Sequence, residues 1–160
     1  MSEILGSLLK GLLALLGVAA VVGILYLAFG NNKTQNAISD ITQLQSNIQA
    51  LYNGQNTFTT LTNTVAIGGK LAPNDMVAGT ALTNPWGGTV TANVNAGNAA
   101  QFDLTETLVP QDSCGKIVVG LPTIVNLKVN GTSQTLPVDA GTAVAACSLA
   151  NNTLIFTFSH

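Results

Sequence analysis

An uncharged apolar segment near the N-terminus places the strongest constraint on how this chain folds. No charged residue occurs from Gly11 to Asn32, and the run from Leu12 to Phe29 is apolar throughout. With Ile4 to Leu9 the stretch covers about 26 residues, ~39 Å as an α-helix, which exceeds the ~30 Å core of a bilayer. A secretory signal peptide, the alternative, has a shorter apolar region and a cleavage site of small residues. We therefore expect residues 1–30 to form a retained membrane helix.

The segment that follows carries an amphipathic helical stripe. Polar residues separate apolar ones that recur at spacings of three and four, namely Ala37, Ile38, Ile41, Leu44, Ile48, Leu51 and Tyr52. This spacing is typical of one helix face. It predicts that the helix continues over residues 31–54 and ends in a left-handed stop at Asn53-Gly54. The first half then needs lipid or other apolar helices around it, and the second half needs a globular domain along one side.

Residues 55–160 are typical of a small domain rich in β-structure. Thr, Val and Asn are frequent, and turn residues bound short β-prone runs at 89–94, 102–105, 124–129 and 154–158. Asn130-Gly131 predicts a tight hairpin. Asp112 and Asp139 are predicted N-caps of two short helices. The turn at 84–88 presents Trp86, which we interpret as a packed loop anchor.

The composition argues against catalysis and against nucleic-acid binding. Only 8% of the residues are charged, and five lysines without arginine give a net charge of -2, so a basic phosphate-binding surface is not expected. The single histidine, His160, is the last residue, where a general base is poorly held. The acids are scattered singly, and no phosphate-binding, nucleophile or metal motif occurs. We predict neither an enzyme nor a metal or cofactor site.

The two cysteines, Cys114 and Cys147, are the remaining reactive pair. They lie 33 positions apart, with no CxxC motif and no nearby histidine, which disfavours zinc or redox chemistry. In an exported chain such a pair indicates one disulfide, with two buried free thiols as the alternative. Closing this loop would stabilise the domain by roughly 3 to 4 kcal/mol.

Several ordered segments carry a family resemblance. Residues 32–40, 51–55, 83–88 and 145–147, the last followed by a terminal strand, resemble bacterial type IV pilins. The details are most similar to the type IVb class, which includes bundle-forming and toxin-coregulated pilins and the thin pilins of conjugative plasmids. The resemblance implies an α+β fold, in which a long N-terminal α-helix, apolar in its first half and amphipathic in its second half, packs on a small antiparallel β-sheet head with one disulfide.

The same resemblance implies a function and partners. A major pilin is cut by a prepilin peptidase, is methylated at its new N-terminus, and waits in the inner membrane. The assembly machinery then polymerises it into an extracellular homo-oligomeric filament for adhesion, cell contact or conjugation. Because no basic leader ending in Gly precedes Met1, we expect Met1 to be the mature N-terminus unless processing is unusual. The alternatives are a minor pilin or type II secretion pseudopilin, and an unrelated bitopic membrane protein with a β-rich binding domain.

Three N-terminal residues are candidates for assembly: Met1, Glu3 and Lys10. The family usually has an acid at the fifth mature position, whereas this chain has Leu5 there and its acid at Glu3. Glu3 and Lys10 are seven residues apart, ~10.5 Å along a helix, so they cannot bond within one chain. A neighbouring subunit displaced by that rise would bring its Glu3 level with this Lys10. In the alternative interpretation, Lys10 extends to the lipid headgroups and has no later role.

Overall fold

The computed structural model of the chain describes residues 32–121 and 123–160. Helix α1 covers residues 32–52. The later elements are α2 (Asn63–Gly68), a 3-10 turn (Asn74–Met76), β1 (Val77–Ala78), β2 (Ala81–Thr83), β3 (Thr89–Asn95), β4 (Asn98–Pro110), α3 (Gln111–Gly120), β5 (Asn126–Val129), β6 (Thr132–Gln134), α4 (Ala140–Ala146) and β7 (Asn151–Ser159). The predicted membrane helix over 1–30 lies outside the described residues. Within the described ranges, no helix combines the length and apolar character needed to span a bilayer.

The strands form one antiparallel sheet in the order β1-β2-β3-β4-β7-β5-β6. The C-terminal strand β7 lies inside the sheet, between β4 and β5. Strand β4, with 13 residues, is much longer than the run predicted at 102–105. Its length follows from pairing with β3 on one side and β7 on the other, which gives its polar residues backbone partners. The α+β class and the antiparallel sheet agree with the sequence-based prediction.

Helix α1 buries its apolar stripe in the core of the domain. Ala37, Ile41, Leu44, Ile48 and Tyr52 are each at most 2% exposed. Their spacing of three and four places them on one side of the helix, where they join the core formed by the sheet. The prediction for the stripe was wrong at its end, because Leu51 is 49% exposed. Periodicity alone could not show that the domain contacts Tyr52 and leaves Leu51 in solvent.

The end of α1 is fixed by side-chain packing. The helix ends at Tyr52, close to the predicted stop, but Gly54 does not adopt the predicted left-handed conformation. The amide of Gln55 donates to the carbonyl of Tyr52 at 2.8 Å. The Tyr52 ring lies 5.1 Å from Phe58, which also contacts His160 at 4.4 Å between ring centroids. The C-terminal histidine, for which no role was predicted, therefore packs on the aromatic cluster at the end of α1.

The two predicted N-caps have different outcomes. Asp139 caps α4, and its side chain accepts from the amides of Gly141 and Thr142. Asp112 is not a cap, because α3 begins one residue earlier at Gln111 and its N-cap is Pro110. Strand β4 continues to Pro110 and leads directly into the helix, so Asp112 falls in the first turn.

The two predicted tight turns are present. At the β5–β6 hairpin, Asn130 and Gly131 have φ values of 51° and 83°, and Val129 pairs with Thr132. Positive φ at both central residues is the geometry that favours Asn-Gly in two-residue hairpins. In the turn at 84–88, half-buried Trp86 packs against the core, as predicted.

Gly88 allows the turn at 84–88 to approach strand β4. The Asn84 side chain accepts from the amide of Gly88 and donates to the carbonyl of Thr107 at 2.8 Å. A Cβ atom added at Gly88 would lie 1.9 Å from that same Thr107 oxygen. The two nearest obstructing atoms, the carbonyl oxygen and carbon of Thr107, are backbone, so a side-chain rotation cannot relieve the contact. Any larger residue must displace the turn from the strand.

We expect Gly88→Ala to lower the free energy of unfolding by about 1–3 kcal/mol or more, the usual cost of overpacking. Gly68→Ala is the matched control, because a Cβ there meets no atom within 4 Å and the backbone φ is not positive. Alanine at such a site is neutral or stabilises by about 0.4–1 kcal/mol. Denaturant unfolding followed by Trp86 fluorescence measures both. Equal stability of the two variants would contradict the close approach at Gly88.

Candidate functional site

Helix α1 has an exposed face of mostly uncharged polar residues. The exposed side chains are Asn32, Lys33, Gln35, Asn36, Ser39, Thr42, Gln43, Ser46, Asn47, Ala50 and Leu51. In the described part of α1, Lys33 is the charged residue on this face. Charged residues are depleted in the centres of protein interfaces because their desolvation is costly. The composition of this face therefore suits burial against another protein surface.

Polar contacts fix α1 to the domain on two sides. Near the beginning of the described part of α1, the Thr34 hydroxyl donates to the Ser113 hydroxyl of α3 at 2.9 Å, and both residues are buried. Near its end, the Asn47 amide donates to the carbonyl of Leu71 at 2.7 Å. These bonds add direction to the nondirectional burial of the apolar stripe. These contacts fix the orientation of α1, and therefore of its exposed face, relative to the domain.

A disulfide joins α3 and α4, as the sequence predicted. Cys114 in α3 and Cys147 at the end of α4 are both fully buried, with Cα atoms 5.9 Å apart. The helices also approach closely at Gly115, where an added Cβ would lie 3.6 Å from a methyl group of Val144. The Cys114–Cys147 bond closes the segment 114–147 into a loop that includes β5, β6 and α4. We call this the disulfide-bounded segment.

The disulfide-bounded segment presents apolar side chains to solvent. Val119, Val125 and Val144 are 45–65% exposed, and Leu149 just beyond Cys147 is 51% exposed. Two shallow depressions lie on the same segment. One of about 420 Å³ is lined by Val129, Thr132, Thr142, Ala145 and Leu149, and one of about 280 Å³ by Val118, Leu121, Ile124, Leu136 and Val138. The first lining also carries the amide side chains of Asn130 and Gln134, and neither lining contains a charged residue.

Two buried carboxyl groups lie between α1 and the sheet, and the sequence analysis did not single them out. Glu106 on β4 is 1% exposed, and neither carboxyl oxygen has a hydrogen-bond partner. Burial raises the pKa of Glu106 to about 8; the Asn84 side-chain amide opposes this rise, and the Asp40 charge reinforces it. Burial and the charge of Asp75 raise the pKa of Asp40 on α1 to about 6.

The described residues test part of the predicted site set. The structure joins Cys114 to Cys147. Met1, Glu3 and Lys10 lie outside the described residues, so their assembly role stays a prediction. In residues 32–121 and 123–160, no group of three or more His, Cys, Asp or Glu side chains is placed to hold a metal ion.

The fold is that of the type IVb pilins. A crystal structure of a type IVb pilin from Salmonella typhi superimposes with a TM-score of 0.65 at 20% identity, over 79% of this chain and 99% of that one. TcpA, a type IV pilin from the Vibrio cholerae El Tor biotype, superimposes with a TM-score of 0.57 at 14% identity, over 80% of this chain and 99% of that one. At these identities the likeness concerns the fold.

The chain belongs to the Bundlin family, whose model matches residues 27–156. It is 32% identical over 90 residues to the major structural subunit of the bundle-forming pilus from Escherichia coli O127:H6, and equally to that of Escherichia coli O111:H-. The alignment covers 54% of this chain, and it spans about half (47%) of the relatives' length. The family membership confirms the type IVb resemblance seen in the sequence and agrees with the prediction of a structural protein rather than an enzyme.

Proposed function

We propose that this chain is a major pilin, a structural subunit that polymerises through its N-terminal helix into an extracellular type IV pilus. The observation that carries the proposal is the Bundlin match over residues 27–156, which includes both the α1 stripe and the disulfide-bounded segment. The exposed face of α1, on which Lys33 is the charged residue among those described, and the exposed valines of the disulfide-bounded segment support it, because both suit burial between subunits. Adhesion, cell contact and conjugation are tasks that such a filament can perform.

Before assembly, the subunit is held in the inner membrane by residues 1–30. A prepilin peptidase acts on the precursor, and the pilus assembly machinery extracts the subunit into a filament made of copies of this chain. Within the filament, Glu3 of one subunit pairs with Lys10 of another, near the N-terminus at Met1. The uncharged segment from Gly11 to Asn32 supports a water-free helical core around this pair.

Electron microscopy and mass spectrometry of material sheared from the cell surface test the proposal. We expect filaments in which this chain is the bulk component, and no filaments after deletion of its gene. Filaments that contain the chain in trace amounts would instead identify a minor pilin or pseudopilin. Absence from the sheared fraction, with the chain retained in the membrane, would favour a bitopic binding protein and contradict the pilin proposal.

A chain that begins at Asn31 separates folding from assembly. It retains the described domain, so we expect it to be soluble, monomeric and oxidised at Cys114 and Cys147, because its core lies within Lys33–His160. Light scattering, thiol titration and circular dichroism measure these properties, with the full chain in detergent as the control. Filaments formed by the shortened chain alone would show that residues 1–30 are not the polymerising element.

A further inference from the structure

Glu106 occupies a position where a charge is poorly tolerated. It follows Phe102 and Leu104 at alternate positions of β4, and all three side chains are buried on the sheet face that forms the core. Both oxygens of Glu106 lack hydrogen-bond partners. A buried carboxylate without a partner costs far more than a buried neutral carboxyl group. The surroundings therefore decide in which form Glu106 exists.

The groups around Glu106 only partly offset a negative charge. Its register partners on β3 and β7 are Val90 and Leu154, which are apolar. From α1, Asp40 acts on it with a charge of the same sign, and Asp75 in the 3-10 turn acts in turn on Asp40. Asn84, in the turn after β2, is uncharged; it donates one of its two amide hydrogens to Thr107, and its amide lowers the pKa of Glu106 by less than burial raises it. Ionisation of Glu106 thus adds repulsion between strand β4 and Asp40 on α1.

We propose that the protonation state of Glu106 controls how firmly α1 packs on the sheet. The neutral carboxyl group keeps α1 packed on the sheet, and loss of its proton to solvent as the pH rises toward 8 favours opening of α1. Asp40 strengthens the response because it places a second carboxylate on the opposing helix face. This inference concerns the subunit itself and does not rest on the proposed function.

Linkage gives the sign and size of the effect. The pKa of Glu106 is raised from 4.5 in the unfolded chain to about 8 in the folded chain. The contribution of Glu106 to the stability of the closed state is therefore fully present below pH 4.5. It declines as the pH rises and levels off above about 8. Asp40, with a pKa of about 6, has lost most of its proton by pH 7. Between pH 6.5 and 7.5 the opening constant of α1 should rise about tenfold per pH unit.

Hydrogen exchange of the full chain in detergent micelles tests the proposal. Peptides covering residues 37–52 report the opening of α1 after correction for the intrinsic pH dependence of exchange. We expect the opening constant of α1 to rise about tenfold per pH unit in the wild type and not to rise in Glu106→Gln. Asp112→Asn, which changes an exposed carboxyl group, is the matched control and should keep the rise. The Asp40→Asn variant should keep the rise but shift its upper limit to lower pH.

A direct spectroscopic measurement keeps the proposal testable if Glu106→Gln folds poorly. The wild type at pH 7, where Asp40 has lost most of its proton, should show an infrared band of a protonated carboxyl group that disappears above pH 9. Variants that lack Glu106 should not show this band at pH 7. A wild-type chain without that band, or with the same α1 opening profile as Glu106→Gln, would overturn the proposal. Filament formation does not enter either measurement, so failure here and failure of the pilin proposal are distinguishable.

Discussion

Replacing Cys147 with serine is expected to lower the free energy of unfolding by about 3–4 kcal/mol. The bond joins Cys114 to Cys147, which lie 33 positions apart in the sequence. Its loss gives the unfolded chain more conformational entropy, which favours unfolding. Domains of this kind have only about 5–15 kcal/mol of total stability. The variant should therefore accumulate poorly in cells, because misfolded subunits are degraded before assembly.

Chemical denaturation of the full chain in detergent, with and without reductant, measures this loss. A serine hydroxyl in a fully buried site adds its own cost, so the double variant Cys114→Ala with Cys147→Ala is the matched control. The reduced wild type and the double alanine variant should both be destabilised, and Cys147→Ser should be the weakest. Equal stability of the oxidised and reduced wild type would refute the role of the bond.

Finished filaments should respond differently from new subunits. The disulfide lies within one chain, between α3 and α4, so it does not join subunits. We therefore expect a reductant to leave assembled filaments intact under conditions in which newly made Cys147→Ser subunits fail to accumulate. The comparison locates the effect of the bond in folding rather than in the subunit interface.

Local signals in the sequence predicted the elements whose structure depends on neighbouring residues. The stripe from Ala37 to Tyr52, the Asn130-Gly131 hairpin and the Asp139 cap each follow from spacing or turn chemistry within a few residues. The strand order β4-β7-β5 could not be read this way, because it depends on pairing between segments far apart in the chain. The same limit explains the underestimated length of β4 and the exposed Leu51.

The buried carboxyl groups show what the sequence analysis missed. Glu106 continues the alternation of Phe102 and Leu104, so an inward position could have been inferred from period two. Asp40 likewise lies beside Ile41 on the inner side of the helical stripe. The acids are scattered singly along the sequence, which gives no sign that Asp40 and Glu106 interact in the folded chain. The proximity of Asp40 and Glu106 itself requires the packing of α1 on the sheet, which no local pattern specifies.

Removal of Lys10 is expected to impair filament assembly while Glu3 is present. If the two groups pair between subunits in a dry helical core, Lys10→Leu leaves a buried carboxylate without its partner. The expected loss is about 3–5 kcal/mol per contact, and it recurs at every subunit. The additional change Glu3→Gln removes the stranded charge, so the double variant should recover part of the assembly.

The readouts must separate membrane insertion from polymerisation, because a lysine near the membrane also directs orientation. The amount of subunit in the membrane fraction reports insertion, and the amount in sheared filaments reports assembly. Lys70→Asn is the control, since it removes an exposed lysine outside the α1 face and asparagine tolerates the positive φ of that position. We expect it to leave assembly nearer to wild type than Lys10→Leu does.

A filament map at side-chain resolution decides whether the pair exists. Opposite charges influence each other strongly within about 4–6 Å, so the Lys10 nitrogen should lie in that range from a neighbouring Glu3 carboxylate. Partial recovery in the double variant together with that distance supports direct pairing. If every Lys10 nitrogen lies well beyond about 6 Å from all Glu3 carboxylates, the pair does not exist. Lys10 must then be satisfied by a backbone carbonyl, lipid or water, and its effect on assembly must be exerted before polymerisation, at the membrane surface.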